Sequence, residues 1–467
     1  MPINTVTFDT LYGRALHAFG LEPLEQQDAL LRELTSFALE RSHRQALVVS
    51  GYAGTGKTSL MAAFVKALKQ CRMKFVLLAP TGRAAKVFSG YANHPAYTLH
   101  KRLFRGGTPE LGGQLYLAPN NDTNTLFIVD EASMIPESQG NRILSLLLSH
   151  VYGNMGNNII FVGDTAQLPP VGQEESHAMN SEWLRMQGIE ADTLWLDKPV
   201  RQAAKSGILY NATWLRSAMV QPKLPKARLK ASPFVDVEIV DNEFLGETIS
   251  DSYSQTGDEG TMVVTRSNFR AGIFNREIRN CVFYAEEELQ KGEKLVVVKN
   301  NYYYSDKKND IDFIANGEIV RLEKIYGFES RYGLRFADVD IHMPVMGKSI
   351  GVKIMLDCLQ SPSASLPQEQ YNAFYSAVLA DYTSRGIDSS KAIFAMRRDP
   401  YLNALQVKYA YCLTCHKAQG GQWDNIFIDL GGIAAEDMGM EFYRWLYTAV
   451  TRARKKLFLV SPTLPIL

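Results

Sequence analysis

The sequence predicts an α/β fold with two parallel-sheet units, the second of which carries an inserted β-barrel. Short apolar runs alternate with helical patterns up to about residue 200, and this alternation is typical of a parallel sheet covered by helices. The pattern returns at residues 261–267, 425–430 and 455–461. Between these stretches, residues 291–410 contain short runs of antiparallel-strand character, which predict a small barrel.

The predicted boundaries divide the chain into four parts. We expect a helical segment at residues 1–40, the first unit at 41–225, and the second unit at 226–290 and 411–467. The glycine pairs and the PNND turn within 101–124 predict a small hairpin inserted in the first unit.

The composition argues against several classes of protein. Hydrophobic residues make up 46% of the chain, yet no run of about 18 apolar residues predicts a membrane span. The N-terminus lacks the pattern of a secretory signal, and five scattered cysteines suit a reducing compartment, so we expect a cytoplasmic protein. Cys412 and Cys415 form a C-x-x-C with no second pair, and we expect ordinary strand cysteines there.

The charges are unevenly distributed along the chain, although the net charge is only +1. From Arg41 to Pro109 there are twelve Lys and Arg and no acid, whereas Ala231 to Thr265 holds eight acids and no base. The basic stretch indicates a polyanion as a partner. A solvated helix face is the alternative for part of it, namely Lys66, Lys69, Arg72 and Lys74.

A glycine-rich loop at GYAGTGKT predicts a nucleoside triphosphate site. The string fits G-x-x-x-x-G-K-[ST], with the apolar strand ALVVS before it and a helical pattern after it. Backbone N–H groups of such a loop surround phosphate oxygens, while Lys57 reaches the outer phosphates and Thr58 holds Mg²⁺. The residues expected to contact the nucleotide are Gly51, Ala53, Gly54, Thr55, Gly56, Lys57, Thr58 and Ser59.

Further polar groups follow other predicted strands. In FIVDEAS, Asp130 can hold Mg²⁺ and Glu131 can polarise an attacking water. In FVGDTAQLPPV, Gln167 can orient that water or sense the γ-phosphate. Arg201 and Arg452 can stabilise charge on the transferred phosphoryl group, with a surface salt bridge as the alternative for each.

These motifs together resemble superfamily 1 helicases, and within them the RecD-like and Dda-like group called superfamily 1B. The strings that carry the resemblance run in the family's order: GYAGTGKT, APTGRAAKVF, YTLHKRL, VDEAS, GDTAQLPPV, LDKPVRQ, VTRSN, LTCHKAQGGQWDNIFI and LYTAVTRAR. The resemblance implies two RecA-like domains, an SH3-like barrel, and an ATP- and Mg²⁺-dependent DNA helicase that moves 5′ to 3′ on single-stranded DNA. It also implies that Gly420 couples the second domain to the nucleotide.

The resemblance assigns further residues to adenine and to the strand. A glutamine ahead of the phosphate loop reads adenine; Gln26 and Gln27 both fit, and we choose Gln26 because the Q-x-x-A spacing then ends at Ala29. Hydroxyl, backbone and basic groups grip DNA phosphates without reading bases. The residues that match the family's strand-binding motifs are Pro80, Thr81, Arg83, Thr98, His100, Thr265, Asn268, Thr414, His416 and Lys417.

The two predicted inserts leave alternatives open. Phe104 or Tyr116 of the hairpin could be the wedge of a pin that splits duplex, or either could pack in the core. The run Tyr302, Tyr303 and Tyr304 could stack bases or line the barrel.

We expect single-stranded DNA and its junctions with duplex as partners, recombination or repair proteins as further ones, and a chain that acts as a monomer. Alternatives from other classes are a subunit of an exonuclease complex, a translocase that separates no duplex, an RNA-directed relative and a non-enzymatic scaffold. If the protein were a scaffold, we would expect a damaged phosphate loop, but the loop in this sequence is intact.

Overall fold

Two parallel β-sheets and one closed barrel form the framework of the chain in the computed structural model. The structure describes residues 6–40, 44–106, 115–198, 205–304, 311, 313–344, 346–433 and 438–462. The predicted fold class is confirmed, since both sheets and the inserted barrel are present.

The first part of the chain contains two N-terminal helices and the first sheet. In chain order its elements are α1 (Phe8–Phe19), α2 (Glu25–Leu39), β1 (Gln45–Gly51), α3 (Lys57–Gln70), β2 (Phe75–Ala79), α4 (Gly82–Ala92), β3 (Ala96–Thr98), α5 (Leu99–Leu103), β4 (Phe104–Gly106), β5 (Leu115–Leu117), β6 (Leu126–Val129), α6 (Ile143–Tyr152), β7 (Asn158–Gly163), α7 (Ser181–Met186) and β8 (Glu190–Leu196). Six of the strands form a parallel sheet in the order β3-β2-β6-β7-β1-β8.

The second part of the chain surrounds the barrel. Its elements are α8 (Gly207–Met219), β9 (Val237–Val240), α9 (Leu245–Gly260), β10 (Thr261–Thr265), α10 (Asn268–Cys281), β11 (Lys294–Val297), β12 (Ile319–Arg331), β13 (Leu334–Met343), β14 (Lys348–Met355), α11 (Gln368–Ser384), α12 (Ser389–Met396), β15 (Leu405–Tyr409), β16 (Cys412–Thr414), α13 (Cys415–Ala418), β17 (Trp423–Asp429), α14 (Met440–Val450) and β18 (Ala453–Val460). A parallel sheet has the order β16-β10-β17-β18-β9, and β11 to β15 close the barrel.

The central strands are apolar because helices cover both faces of each sheet. Every residue of β1, β6 and β7 is buried, as expected for parallel strands in a covered sheet. One face of the first sheet packs under α1, α2 and α3, and the other packs under α6 and α7. Helix α8 follows the first sheet in sequence but packs with α14 in the core of the second.

The barrel is antiparallel except at its closing pair. Strands β14 and β15 run parallel because α11 and α12 lie between them in the chain and return it to the same end of the barrel. The sequence predicted only antiparallel strands here, since the crossover helices carry no signal of how the barrel closes.

The aromatic residues singled out in the hairpin and the barrel differ in burial and in their contacts. Phe104 is half-buried and packs against the core of the first unit, so core packing is the observed role. Residues 107–114 and the side chain of Tyr116 lie outside the described residues. Tyr304 packs against the barrel core, Tyr303 is exposed, and the ring of Tyr302 stacks on Phe313 with centroids 5.2 Å apart.

The described residues contain buried free cysteines, and they hold neither a metal-ligand cluster nor a membrane-spanning helix. Cys412 and Cys415 are buried free thiols, and burial raises the pKa of Cys415 to about 12. Within the described ranges, no group of three or more His, Cys, Asp or Glu side chains could hold a metal ion. No helix in that part of the chain is long and apolar enough to cross a bilayer.

A buried ion pair fastens the barrel to the second sheet. The Nε and Nη2 atoms of Arg279, on α10, each donate to one carboxylate oxygen of Glu293 at 2.9 Å, next to the first barrel strand. The hydroxyl of Tyr411 donates to the same carboxylate at 2.8 Å. Both charged side chains are almost fully buried, so either charge would be costly without its partner.

We therefore expect Arg279→Met to lower the free energy of unfolding by about 3–5 kcal/mol, because Glu293 would keep a buried charge without its cation. Arg276→Met on the exposed face of the same helix should change the free energy by less than about 0.5 kcal/mol. Urea unfolding followed by circular dichroism measures both values. Equal effects of the two substitutions would contradict the role given to the ion pair.

Candidate functional site

The phosphate loop has the predicted strand–loop–helix geometry. It leaves β1 at Gly51 and enters α3 at Lys57, and Gly54 and Gly56 have φ of +77° and +86°. A Cβ atom on Gly54 would lie 2.5 Å from the end of the Leu209 side chain, which would have to move, and the positive φ would strain any larger residue there. The hydroxyl of Thr55 donates to the carbonyl of Tyr52 at 2.8 Å and closes the turn.

The Lys57 ammonium group and the N-terminus of α3 indicate that this loop binds an anion. The ammonium group of Lys57 donates to the carbonyl oxygens of Gly51 and Tyr52. Thr58 and Ser59 are exposed in the first turn of α3, which contains no acidic residue. A helix N-terminus carries partial positive charge and unpaired N–H groups, which suit phosphate oxygens.

A cleft of about 260 Å³ runs along the loop, and residues of both sheet units line it. Most of the residues predicted for phosphate chemistry meet there. The predicted residues on its wall are Ala53, Gly54, Gly56, Lys57, Thr58, Ser59, Asp130, Glu131, Gln167, Gly420 and Arg452.

The two carboxylates after β6 line the cleft, and one of them has a strained backbone. Glu131 has φ of +53°, a left-handed conformation that is rare for a side chain of this kind and that clusters at functional positions. Its N–H donates to Asp130 at 2.9 Å. Desolvation, followed by the charge of Glu131, raises the pKa of Asp130 to about 7. The half-buried Asp130 carboxylate and the Thr58 hydroxyl on the same cleft are a donor set that suits Mg²⁺.

The amide of Gln167 also faces the cleft. The side chain is buried, and its Oε1 atom has no hydrogen-bond partner among the described residues. A buried acceptor without a partner is costly, and a bound water or phosphate-linked group would relieve that cost.

Tyr447 of α14 joins the phosphate loop to the residue that follows β7. The N–H of Ala53 donates to the Tyr447 hydroxyl at 2.9 Å, and this hydroxyl donates to the buried carboxylate of Asp164 at 2.6 Å. Burial, with Asp164 nearby, raises the pKa of Tyr447, so the hydroxyl stays protonated and can donate. Neither Tyr447 nor Asp164 was predicted as a site residue, although they lie inside the strings LYTAVTRAR and GDTAQLPPV.

Two further hydrogen bonds join the units beside this tyrosine. The N–H of Leu168 donates to the hydroxyl of Thr448 at 2.8 Å, and the amide of Gln419 donates to the carbonyl of Leu168 at 2.7 Å. The loop after β7 is therefore fixed to the second unit on both sides of its backbone.

The two predicted arginines cannot be compared directly. Arg452 is buried on the cleft wall, where it donates to the carbonyls of Thr448 and Gly421 and to the hydroxyl of Thr451 at 3.0–3.2 Å. Its guanidinium is thus positioned entirely by its own unit. Arg201 lies outside the described residues, so its role stays a prediction.

Gly420 lies beside the N-terminus of α4. Its φ is +69°, and a Cβ atom there would lie 3.2 Å from both the Thr81 hydroxyl and the Ala84 side chain. This glycine of the nucleotide cleft is therefore next to Thr81, one of the predicted strand-binding residues.

The two candidate adenine glutamines have different partners. Gln26 bonds to the loop after β8: its amide donates to the Asp197 carboxylate at 2.7 Å and accepts from the N–H groups of Asp197 and Lys198. Gln27 is buried and donates to the carbonyl of Thr55 in the phosphate loop at 3.0 Å. Gln27 thus supports the loop itself, while the reading of adenine by Gln26 stays a prediction.

The strand-binding residues predicted in the first unit lie around the carboxyl ends of β2 and β3. Pro80 is half-buried after β2, and the hydroxyls of Thr81 and Thr98 cap α4 and α5. His100 is half-buried between the rings of Phe104 and Phe313, and burial lowers its pKa.

Arg83, another predicted strand-binding residue, packs against the second unit. Its guanidinium lies 3.8 Å from the ring centroid of Trp423, in the second unit, and donates to the carbonyl of Gln422 at 3.4 Å. Burial, together with the positive charges of Arg454 and Arg452, lowers its pKa to about 10. The structure therefore places Arg83 at the contact between the two units.

The strand-binding residues predicted in the second unit gather at β10 and β16. Thr265 pairs with Thr414 across these strands, although the Thr265 side chain is buried and donates to the carbonyl of Ser267. A small groove is lined by Asn268, Thr414 and Lys417, and His416 is exposed on α13. Burial, with Lys408 nearby, lowers the pKa of Lys417 to about 8.

Comparison with known proteins agrees with this geometry. The chain matches the family models of an AAA domain over residues 24–225 and of a UvrD-like helicase C-terminal domain over residues 409–460. It is 25% identical over 442 residues to the ATP-dependent RecD2 DNA helicase of Deinococcus radiodurans, covering 93% of this chain and 50% of that protein. It is 24% identical to the ATP-dependent DNA helicase dda of Enterobacteria phage T4, covering 90% of this chain and 95% of that protein.

The chain therefore spans about half the length of the RecD2 relative. A crystal structure of the Pif1 helicase from Bacteroides in complex with ADP-AlF3 and single-stranded DNA aligns with 94% of this chain and 92% of its own, at 14% identity and a TM-score of 0.49. The two family models and the helicase relatives thus support a superfamily 1B helicase, in agreement with the order of the motifs along the chain.

Proposed function

We propose that this protein is an ATP-dependent DNA helicase that moves 5′ to 3′ on single-stranded DNA and separates duplex. One observation carries the proposal: the cleft between the two sheet units holds the phosphate loop and both carboxylates on one wall and Gly420 and Arg452 on the other. A cleft shared in this way links hydrolysis to relative movement of the units. The direction of movement is supported by the resemblance to the RecD-like group.

Each polar group of the cleft has a role in hydrolysis of ATP. The loop N–H groups and Lys57 bind the phosphates, and Thr58 and Asp130 are the residues that would hold Mg²⁺. When bound, the ion neutralises phosphate charge. Glu131 accepts a proton from the attacking water, and the Gln167 amide orients that water. Arg452, and Arg201 by resemblance, stabilise negative charge on the γ-phosphate.

The residues that face DNA lie next to this cleft in both units. Thr81 lies beside Gly420, and Thr414 precedes the helix that leads to Gln419 and its bond with Leu168. Closure of the cleft would therefore move one set of strand contacts relative to the other. Contacts to phosphates through hydroxyl and lysine groups support binding of any sequence, including junctions of single and double strands. We propose action as a monomer, with recombination or repair proteins as partners.

Strand separation with ATP and Mg²⁺ tests this function on two matched duplexes, one with a 5′ single-stranded tail and one with a 3′ tail. We expect release only from the 5′-tailed duplex. Release only from the 3′ tail would overturn the proposed direction, and DNA-stimulated hydrolysis with no release from either duplex would favour a translocase.

Two substitutions in the cleft separate binding of ATP from its hydrolysis. Lys57→Ala should abolish hydrolysis with the fold intact, since the outer phosphates lose their cation. Glu131→Gln should still bind ATP but lower the turnover by about 10²–10⁴-fold, because the amide cannot accept the proton. Binding of a fluorescent ATP analogue and phosphate release measure the two effects. Loss of ATP binding in the Glu131 variant, or turnover retained in the Lys57 variant, would contradict these roles.

Tyr447 tests the coupling between the units. Tyr447→Phe removes the hydroxyl that joins Ala53 to Asp164, and we expect single-stranded DNA to stimulate hydrolysis about tenfold less, because a hydrogen bond to a charged group contributes about 1.5–3 kcal/mol. Tyr443→Phe is the matched control, since its buried ring lies on the same helix and its hydroxyl donates to the Pro225 carbonyl. Equal loss of stimulation in both variants would show that Tyr447 only stabilises the fold.

A further inference from the structure

Another cavity, of about 330 Å³, lies between the first sheet unit and the barrel. Neither the phosphate loop nor the carboxylates of the nucleotide cleft contribute to its wall. The wall residues that matter for its chemistry are Tyr97, Thr98 and Lys101 from the first unit and Phe313, Ala315 and Glu318 from the barrel.

Glu318 presents a buried hydrogen-bond acceptor to this cavity. The residue is only 5% exposed, and its Oε2 atom accepts from the N–H of Ala315 at 3.3 Å. Its Oε1 atom is buried and has no hydrogen-bond partner in the described part of the chain. The left-handed Gly317, with φ of +84°, makes the tight turn that fixes this carboxylate ahead of β12. A ligand that donates an N–H group would satisfy the free oxygen.

The other walls suit a flat, partly apolar ligand. Phe313 is supported from behind by Tyr302, whose ring stacks on it with 22° between the planes. Tyr97 is 38% exposed, and the Lys101 ammonium group lies 5.5 Å from its ring centroid. Aromatic side chains of this kind stack nucleobases.

Charged groups of both signs line the cavity. Lys86, Lys101 and Lys348 are on its wall, and Lys86 donates to the carbonyl of Pro344, which ties α4 to the barrel. Lys86 is also near enough for its charge to act on Glu318. An anion bound directly at Glu318 would meet a buried carboxylate, which repels it. We therefore expect the phosphates that flank a base at the lysines, and a donor group of the base at the Glu318 oxygen.

The cavity also adjoins the predicted path of the strand. Its wall includes Thr98 and Gly82, and Gly82 directly follows Thr81. A base that leaves the backbone track at these residues would reach the cavity without crossing the nucleotide cleft.

We propose that this cavity holds one nucleobase of the bound single strand and that Glu318 accepts a hydrogen bond from its amino group. The site would favour cytosine, adenine or guanine over thymine at one position, because thymine presents carbonyl oxygens on both sides of its single N–H. This inference rests on the proposed binding of single-stranded DNA.

The test uses oligothymidylates of the shortest length that gives full affinity, each with cytosine at one position. Fluorescence anisotropy measures binding to the wild-type chain without nucleotide, at a pH well above the pKa of Glu318, which burial raises to about 7. We expect one position at which cytosine increases the affinity about tenfold, as one charge-assisted hydrogen bond would.

Glu318→Gln keeps the shape of the side chain but adds an amide donor, so it should abolish the cytosine preference at that position. Glu323→Gln, which alters an exposed carboxylate on strand β12, which begins directly after Glu318, should retain the preference. Thermal unfolding checks that both variants are folded, and the wild-type scan tests the proposal even if one is not.

The outcomes separate this proposal from the function on which it rests. No binding of any oligonucleotide, or binding that does not weaken as salt rises, would contradict the proposed strand binding itself. Salt-dependent binding with equal affinity for every oligonucleotide would overturn the base site alone. A preference that persists in the Glu318 variant would also overturn it.

Discussion

The hydroxyl of Tyr447 is the contact on which the geometry of the cleft depends. It accepts from the phosphate loop and donates to Asp164, so three elements from two sheets meet at one oxygen atom. Hydrogen bonds at Leu168 hold the same loop from the other side. A catalytic wall built from separate units needs such fixed contacts, because an error of about 1 Å in position can lower a rate by about 10²-fold.

The topology of the sheets explains why the two kinds of site lie side by side. Loops at the carboxyl ends of parallel strands meet at one edge of a sheet, where α/β proteins bind their ligands. In the first unit, β1, β6 and β7 supply the nucleotide cleft, and the neighbouring β2 and β3 supply Thr81 and Thr98. Gly420 of the second unit lies beside Thr81, so the nucleotide cleft and a predicted strand-binding residue are neighbours.

The features that the sequence predicted best are those that residues adjacent in the chain determine. The phosphate loop, Asp130 and Glu131 follow strands directly, so a strand pattern and a few letters locate them. Arg83 is different, because its stacking on Trp423 depends on how two units pack, which no local pattern records. The partners of Gln26 and Gln27 likewise come from the β8 loop and the phosphate loop. Tyr447 lay within a recognised motif and Glu318 within the string ANGEIV of the barrel, but nothing local distinguished either side chain from its neighbours.

The barrel adds a different kind of contact from those on the sheets. Contacts with DNA phosphates do not depend on the base sequence, and the binding energy is distributed over several such contacts. A single acceptor such as Glu318 contributes about 1.5–3 kcal/mol at most, and only when a suitable base is present. This hydrogen-bond energy is lost when thymine occupies the cavity and is regained at the next base with an amino group. The barrel would therefore change how long the protein stays at each position on the strand, without preventing its movement. Placing the acceptor on the barrel, away from Tyr447 and Gly420, keeps this selectivity separate from the contacts that couple ATP to movement.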